Sequence, residues 1–198
     1  NLMGDEAVAV YMVDDWFTPG RVSMYDPVDL LNAQVYAQFF RNSLIGKPAP
    51  VLTLLSPDGD ETIIPEKGDV SILFFYDTSC SKCKLETMRL RPVLEDIPFP
   101  VEFYAIYSGI YQDQWEDYRE TRWNLAPENV TIHHLWDPEL ESGFQMEYGV
   151  LQTPQLLLVD RNGVIVGRGL DSDALAALLP SVAPDDYEYG AEDSFELF

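Results

Sequence analysis

Between residues 70 and 83 the chain switches abruptly from one pattern to another, and that switch limits the folds open to it. Val70-Ser71-Ile72-Leu73-Phe74-Phe75-Tyr76 is a short, nearly continuous apolar run rich in branched and aromatic side chains, which predicts a central strand covered on both faces. After the polar break Asp77-Thr78-Ser79 the pattern turns helical from Ser81 to about Glu95. Leu85, Met88 and Leu90 with Val93 and Leu94 fall roughly on one side, and Lys82, Lys84, Glu86, Arg89 and Arg91 are expected to project outward. Pro92 is expected to kink this helix or end its regular part. A second strand, Val101 to Ile106, follows Pro98 and Pro100. The segment is a βαβ unit with Cys80 at its strand-to-helix corner.

Later elements extend this unit. A helix is expected from about Gln112 to Trp123, then a strand over Val130 to Trp136. Asp137-Pro138 reads as an N-cap and first helical position of a short helix running toward Tyr148, which Gly149 terminates. Strands at Gln155 to Val159 and Val164 to Arg168 flank Asp160-Arg161-Asn162-Gly163, whose Asn-Gly pair signals a hairpin. A final helix spans Ser172 to Leu179. Upstream, Val51 to Leu55 and Glu61 to Ile64 flank Pro57-Asp58-Gly59-Asp60, a second hairpin at the edge of the same sheet. The order predicts an α/β chain with a mixed sheet and helices on both faces. Before Gly46 lie two helical segments, Ala7 to Phe17 and one opened by Asp26-Pro27 with Leu31, Val35 and Phe39 at helical spacing. They read as a helical cap on the main domain, with recognition of a partner as the alternative.

Cys80 and Cys83 are the only cysteines among 198 residues. Two cysteines placed at random would stand three apart in about 1% of cases, so the spacing is informative. A zinc site needs four ligands, and the remaining donors, His133 and His134, are neighbours on a strand and point to opposite faces. A structural disulfide across so short a loop constrains the unfolded chain little. Redox exchange is the reading that remains, and it needs no cofactor and no metal. At the start of a helix Cys80 faces unpaired N–H groups and the positive end of the macrodipole, both of which favour a thiolate, so Cys80 is the expected attacking thiol. Lys82, Lys84, Arg89 and Arg91 make this segment locally positive.

Elsewhere the chain is strongly acidic, with 34 Asp and Glu against 12 Lys and Arg and a formal charge of −22. That sign opposes binding to nucleic acid or to anionic lipid. No run approaches the roughly 18 apolar residues needed to span a bilayer. Asn1 to Glu6 lack the basic start and apolar stretch of a signal peptide, and a first residue other than Met fits a processed or trimmed chain, so this end assigns no compartment. Pro184 to Phe198 carries six acidic residues and no basic one, and is expected to be a solvated tail.

Four stretches in order resemble the TlpA/ResA-type redoxins of the bacterial cell envelope, a branch of the thioredoxin superfamily. Ile45-Gly46-Lys47-Pro48-Ala49-Pro50 is similar to that group's Gly-x-x-Ala-Pro opening, and Cys80-Ser81-Lys82-Cys83-Lys84-Leu85-Glu86 matches its C-x-x-C with the following basic and acidic residues. Gly149-Val150-Leu151-Gln152-Thr153-Pro154 is similar to the segment ending in a cis-proline that faces the active site, and Leu157 to Gly163 matches the closing hairpin. The resemblance covers roughly Gly46 to Leu179. It implies a thioredoxin-like three-layer sandwich with a central mixed β-sheet, plus an N-terminal helical extension. The corresponding divisions are 1–45 for the extension, 46–180 for the thioredoxin-like domain and 181–198 for the acidic tail.

The same resemblance implies a thiol-disulfide oxidoreductase acting as a reductant in the periplasm or envelope, with protein thiols and disulfides and an upstream redox partner as its counterparts. Cys80 and Cys83 carry the exchange and Thr153 with Pro154 docks the substrate segment; Glu86, three residues after Cys83 on the helix, is the nearest acidic candidate to assist proton loss from Cys83, with a plain surface carboxylate as the alternative. The chain departs from the family at Ser79, where a tryptophan is common, at Phe74, where an acidic or polar residue is frequent, and at Met88, where a proline is usual. Rival readings are a copper-handling protein, which would resemble a C-x-x-x-C plus distant His arrangement, a binding module that has lost redox activity, and a peroxidase. The peroxidase pattern is missing, since Leu73 and Asp77 occupy its Pro and Thr or Ser places.

Overall fold

In the computed structural model, which describes residues 5–17, 21, 26–184 and 187, the apolar run Val70–Tyr76 forms strand β3 with all seven side chains buried. It can be almost wholly apolar because both of its edges and both of its faces are covered. Strand β4 (Val101–Tyr107) pairs parallel on one side, with Val70 opposite Val101, and β6 (Gln155–Val159) pairs antiparallel on the other, with Phe75 opposite Gln155. Beyond β4 lie β5 (Val130–Trp136) and the antiparallel hairpin of β1 (Leu52–Leu55) and β2 (Glu61–Ile64); beyond β6 lies β7 (Ile165–Arg168). The full order is β2-β1-β5-β4-β3-β6-β7.

Alternation along β3 sends Ile72, Phe74 and Tyr76 to one face and Leu73 and Phe75 to the other. The first set packs with Leu90 and Leu94 of α3 (Ser81–Glu95), Trp115 and Tyr118 of α4 (Gln112–Arg122) and Leu175 of α6 (Ser172–Leu178). The second packs with Phe144 of α5 (Phe144–Glu147), and with Tyr148 and Val150. Each large apolar side chain enclosed in this way contributes about 1.5–3 kcal/mol. Helices lie on both sides of a mixed sheet, giving the three-layer sandwich. The tight turn between β6 and β7 is closed by Asp160, whose Oδ1 accepts the N–H groups of Asn162 and Val164, and by Gly163 at φ +77°.

Two local expectations are corrected and a third is narrowed. The inward stripe of α3 is Cys83, Glu86, Thr87, Leu90 and Leu94, whereas Leu85 and Met88 are about half exposed at 49% and 57%. Positions 83, 87, 90 and 94 recur at helical spacing, and 85 and 88 fall off that stripe, so the buried side is set by Cys83 and takes Glu86 with it. Of the two outcomes expected at Pro92, a kink or an end, the second does not occur, since the helix continues to Glu95, as its pattern predicts, with the Asp96 N–H on the Pro92 carbonyl. Pro92 lies on the exposed side, where water can satisfy the carbonyl that its missing N–H leaves open. Asp137-Pro138 likewise opens no helix. The Asp137 carboxylate accepts the N–H groups of Glu141 and Ser142, which folds 137–142 into a turn, and α5 starts only at Phe144 after Gly143 at φ +64°.

The N-terminal segment folds as two helices, α1 (Asp5–Asp15) and α2 (Pro27–Phe40), the second capped by Asp26, whose side chain accepts the Val28 N–H. They share a small core of Val10, Val13, Ala37, Phe40 and Leu44. Arg41 pairs with Asp14 at 2.5 Å, tying the end of α2 back to α1. Residues 46–49 then run beside β7, with the Gly46 N–H on Ile165 O and the Ala49 N–H on Gly163 O. Of the acidic tail, residues 185–186 and 188–198 lie outside the described residues. Among the described residues no helix is long and apolar enough to cross a membrane.

Candidate active site

The turn from β3 into α3 is built by Asp77. Its Oδ1 accepts the Ser79 N–H at 2.7 Å and the Ser79 hydroxyl at 2.5 Å, and its carbonyl accepts the Cys80 N–H at 3.3 Å. The polar residue at position 79 therefore organises the turn. Cys80 is the N-cap of α3, with extended backbone at φ −75°, ψ 117°. At an N-cap the side chain meets N–H groups that have no helical partner. The Cys80 Sγ accepts the Cys83 N–H at 3.2 Å and, as a thiol, donates to the Thr153 carbonyl at 3.5 Å.

The two thiols have opposite acidities. Burial alone would raise the Cys80 pKa, but hydrogen bonds from the Cys83 side chain and N–H, from Thr153 and from the Lys82 N–H outweigh it, and the net shift is downward. Cys83 is fully buried among Phe74, Tyr76 and Leu156. Burial pushes its pKa up to about 12, and the Cys80 sulfur adds to the rise against an opposing backbone bond from Asp77. Cys80 is partly exposed and opens into a concavity of about 350 Å³ lined by Asp77, Ser79, Ser108, Gln145 and Leu151 to Thr153. The peptide between Thr153 and Pro154 is cis.

The fold that brings this dithiol to the N-terminus of the helix after the central strand, facing a cis-proline, has counterparts among solved structures. The thioredoxin domain of a thiol-disulfide oxidoreductase from Bacteroides vulgatus aligns with a TM-score of 0.61 at 20% identity, over 70% of this chain and 98% of that one. A thiol-disulfide oxidoreductase from Bacteroides fragilis aligns with a TM-score of 0.60 at 18% identity, over 69% and 100%. This chain has a thioredoxin-like fold. A thioredoxin-like protein from Bacteroides caccae aligns over 89% of this chain and 62% of its own, with a TM-score of 0.69 at 14% identity. That share is too large to come from the region after residue 45 alone, so the likeness there reaches into the N-terminal helices. No family model and no curated protein matches the sequence.

Within the thioredoxin-like frame, Cys80, Thr153 and Pro154 come together, with Cys83 directly behind. Glu86 does not project outward as expected; it is 8% exposed, and its Oε1 accepts the N–H of Ser172, the first residue of α6, at 2.5 Å. An unpaired N–H at the start of α6 is a favourable partner for a carboxylate, which accounts for the inward turn. Phe74 is wholly buried in the same core cluster as Cys83, so that position offers no proton-handling group here. His133 and His134 point to opposite faces: His133 bonds Glu102 and stacks on Tyr104, while His134 lies against Trp123. Among the described residues no group of three or more His, Cys, Asp or Glu could hold a metal ion.

Sequence reasoning missed Thr87 and Tyr118. Their hydroxyls pair at 3.0 Å on the Cys83 side of α3, and the Tyr118 pKa is raised first by burial and in part by charge on Cys83 and Cys80. Thr87 stands one helical turn after Cys83 and was legible from the spacing. Tyr118 arrives from α4, and no local pattern announces it. Also missed were a second cis peptide, between Ile64 and Pro65, and the three backbone carbonyls that Arg168 gathers around its guanidinium.

Proposed function

We propose that the protein is a thiol-disulfide oxidoreductase that reduces disulfides in partner proteins. The observation that carries this reading is the asymmetry of the cysteine pair: one partly exposed sulfur held toward the thiolate at a helix N-cap, and one fully buried sulfur a turn behind it and held as a thiol. The Cys80 thiolate attacks one sulfur of the partner's disulfide, forming a mixed disulfide and releasing the partner's other sulfur as a thiolate. Cys83 then loses its proton and attacks the Cys80 sulfur, which closes the Cys80–Cys83 disulfide and frees the partner's second thiol. Two electrons pass to the partner, and an upstream dithiol restores the pair.

Cys83 stays protonated until the mixed disulfide forms, because an adjacent thiolate and an apolar surround both oppose its ionisation. Once Cys80 is bonded to the partner its charge is gone, and the raised pKa loses one of its causes. Glu86, three residues along the same buried stripe, is the proposed acceptor for that proton, with the Thr87–Tyr118 hydroxyl pair as the other polar group on this side of α3. Thr153 and Pro154 are the proposed docking edge, since the Thr153 carbonyl already faces the Cys80 sulfur. Location in the bacterial envelope follows the TlpA/ResA resemblance, and residues 46–180 are proposed as the catalytic domain.

The test is direct. Cys80→Ser is expected to abolish reduction of insulin or of a model disulfide, Cys83→Ser to accumulate a covalent mixed disulfide, and Glu86→Gln to slow the closing step with the first attack unchanged. Thiol trapping across a glutathione series then gives the potential: a value near thioredoxin's, about −270 mV, supports a reductant, and one near −120 mV assigns an oxidant instead. Full activity in either cysteine variant refutes the proposal.

A further inference from the structure

A second hollow of about 490 Å³ lies on the far side of the Leu151–Pro154 loop from Cys80, and the dithiol chemistry makes no use of it. Its walls come from parts of the chain far apart in sequence: Glu6, Tyr36 and Phe40 from the N-terminal helices, Leu151 and Pro154 from the loop, and Leu170 after β7. Leu151 and Gln152 also line the concavity over Cys80, so the two hollows share this loop as a common wall. The wall is fixed in place. A Cβ at Gly149 would come within 2.7 Å of the Phe39 carbonyl oxygen and 2.9 Å of the Phe40 ring, a close approach that only glycine permits. Arg168, 4% exposed, locks the same junction by donating to the carbonyls of Ser43, Tyr148 and Gly149, with its guanidinium 4.6 Å above the Phe40 ring.

The lining also specifies what fits. Among the described residues its one cation is Arg168, which is engaged by three carbonyls and stands 4.0 Å from Glu6. An acidic side chain would therefore find no available counter-charge, and it would approach a chain of net charge −22. What the hollow does present to solvent is Tyr36, 41% exposed, its ring tilted against that of Phe40 with centroids 4.4 Å apart, and Leu151, 53% exposed. Pro154 and Gln155 follow Thr153 directly, and an extended chain advances about 3.3 Å per residue, so a segment lying along Thr153 reaches the hollow within two or three residues.

We propose that the N-terminal helices complete a specificity pocket for an extended segment of the disulfide-bearing partner, and that the pocket takes a bulky uncharged side chain, aromatic or leucine-like, two or three residues from the partner's reactive cysteine. This rests on the oxidoreductase reading only for the identity of the occupant. Tyr36 is the principal specificity residue, because it is the ring most open to the hollow.

Disulfide-linked peptide dimers identical except for Phe, Leu, Ser, Asp or Lys at the second or third residue from the cysteine test this, with second-order rate constants measured in single turnover against the reduced full chain. The expected result is at least a tenfold preference for Phe or Leu over Ser at one of these positions, kept in Tyr36→Phe and reduced to less than threefold in Tyr36→Ala. The ratio is taken within each protein, so a partial loss of folded material cancels. A ratio near one in the unmodified chain, a ratio that survives Tyr36→Ala, or a preference for Lys overturns the proposal. The same peptides with Ser in place of Cys, titrated for binding, separate the two readings: selective binding with no disulfide exchange keeps the pocket and removes the oxidoreductase, and unselective exchange does the reverse.

Discussion

Replacing Arg168 by Met tests how the N-terminal helices are held to the rest of the molecule. The guanidinium is almost wholly enclosed, and it donates to Tyr148 O at 2.7 Å, Ser43 O at 3.2 Å and Gly149 O at 3.3 Å. Hydrogen bonds from a charged donor contribute roughly 1.5–3 kcal/mol each, but enclosing the cation costs several kcal/mol, so the three do not simply add. Burial pulls the Arg168 pKa down, and the charges of Glu6 and Tyr36 act against that fall. Methionine fills the volume but leaves carbonyls without donors, and breaking a buried ionic arrangement from one side costs about 3–5 kcal/mol. Glu6 keeps part of its hydration, at 24% side-chain exposure, which places the expected loss near the lower end, about 3 kcal/mol. Urea unfolding at pH 7 measures it as a fall in midpoint at constant slope. Amide exchange in residues 149–153 should speed up more than exchange in β3, because the lost bonds anchor the approach to Pro154 rather than the central strand. A loss below about 1 kcal/mol, or uniform acceleration of exchange, would refute the reasoning.

Further outcomes concern the titrating groups. In the reduced protein, alkylation of Cys80 should reach half its maximal rate below the ordinary thiol value of about 8.5, whereas Cys83 should stay unlabelled across the neutral range; equal labelling of both would contradict their opposite acidities. His134 is held neutral, its pKa lowered to about 4 first by burial and then by the charges of Arg119 and His133. Because the unfolded chain binds that proton at about 6.5 and the folded chain only at about 4, stability is complete above 6.5 and lost as pH falls through this window, by about 2 kcal/mol at pH 5. His134→Gln should remove this component from the difference between urea midpoints at pH 7 and pH 5, and an unchanged pH dependence would exclude His134 as its source.

Much of the architecture is legible in the sequence because it rests on short-range patterns. The seven-residue apolar run of β3, the Asn162-Gly163 turn and the Asp26 cap each act through neighbours within a few positions. The same holds for Cys80 at the start of α3, where spacing alone places the sulfur among unpaired N–H groups. The features that escaped depend on partners remote in sequence. Glu86 reads as an outward charge on α3 and becomes a buried acceptor only because Ser172 arrives beside it, 86 positions later. Arg168 reads as a strand-end cation, yet its partners come from residues 43, 148 and 149, and Tyr118 meets Thr87 across 31 positions. Asp137 misled for a different reason: the same carboxylate that caps a helix can close a turn on Glu141 and Ser142, and the choice between them is made by Gly143, whose left-handed backbone delays the helix to Phe144.

The unequal depth of the two sulfurs bears on how such a molecule would weather oxidants. Peroxide reaches the outer sulfur first and converts it to a sulfenic acid, while the enclosed Cys83, at zero exposure, is sheltered. Cys83, one turn away, can condense with that sulfenic acid, releasing water and leaving an internal disulfide in place of the irreversible sulfinic product. An accidental oxidation is thereby converted into the state that any reducing partner already knows how to repair.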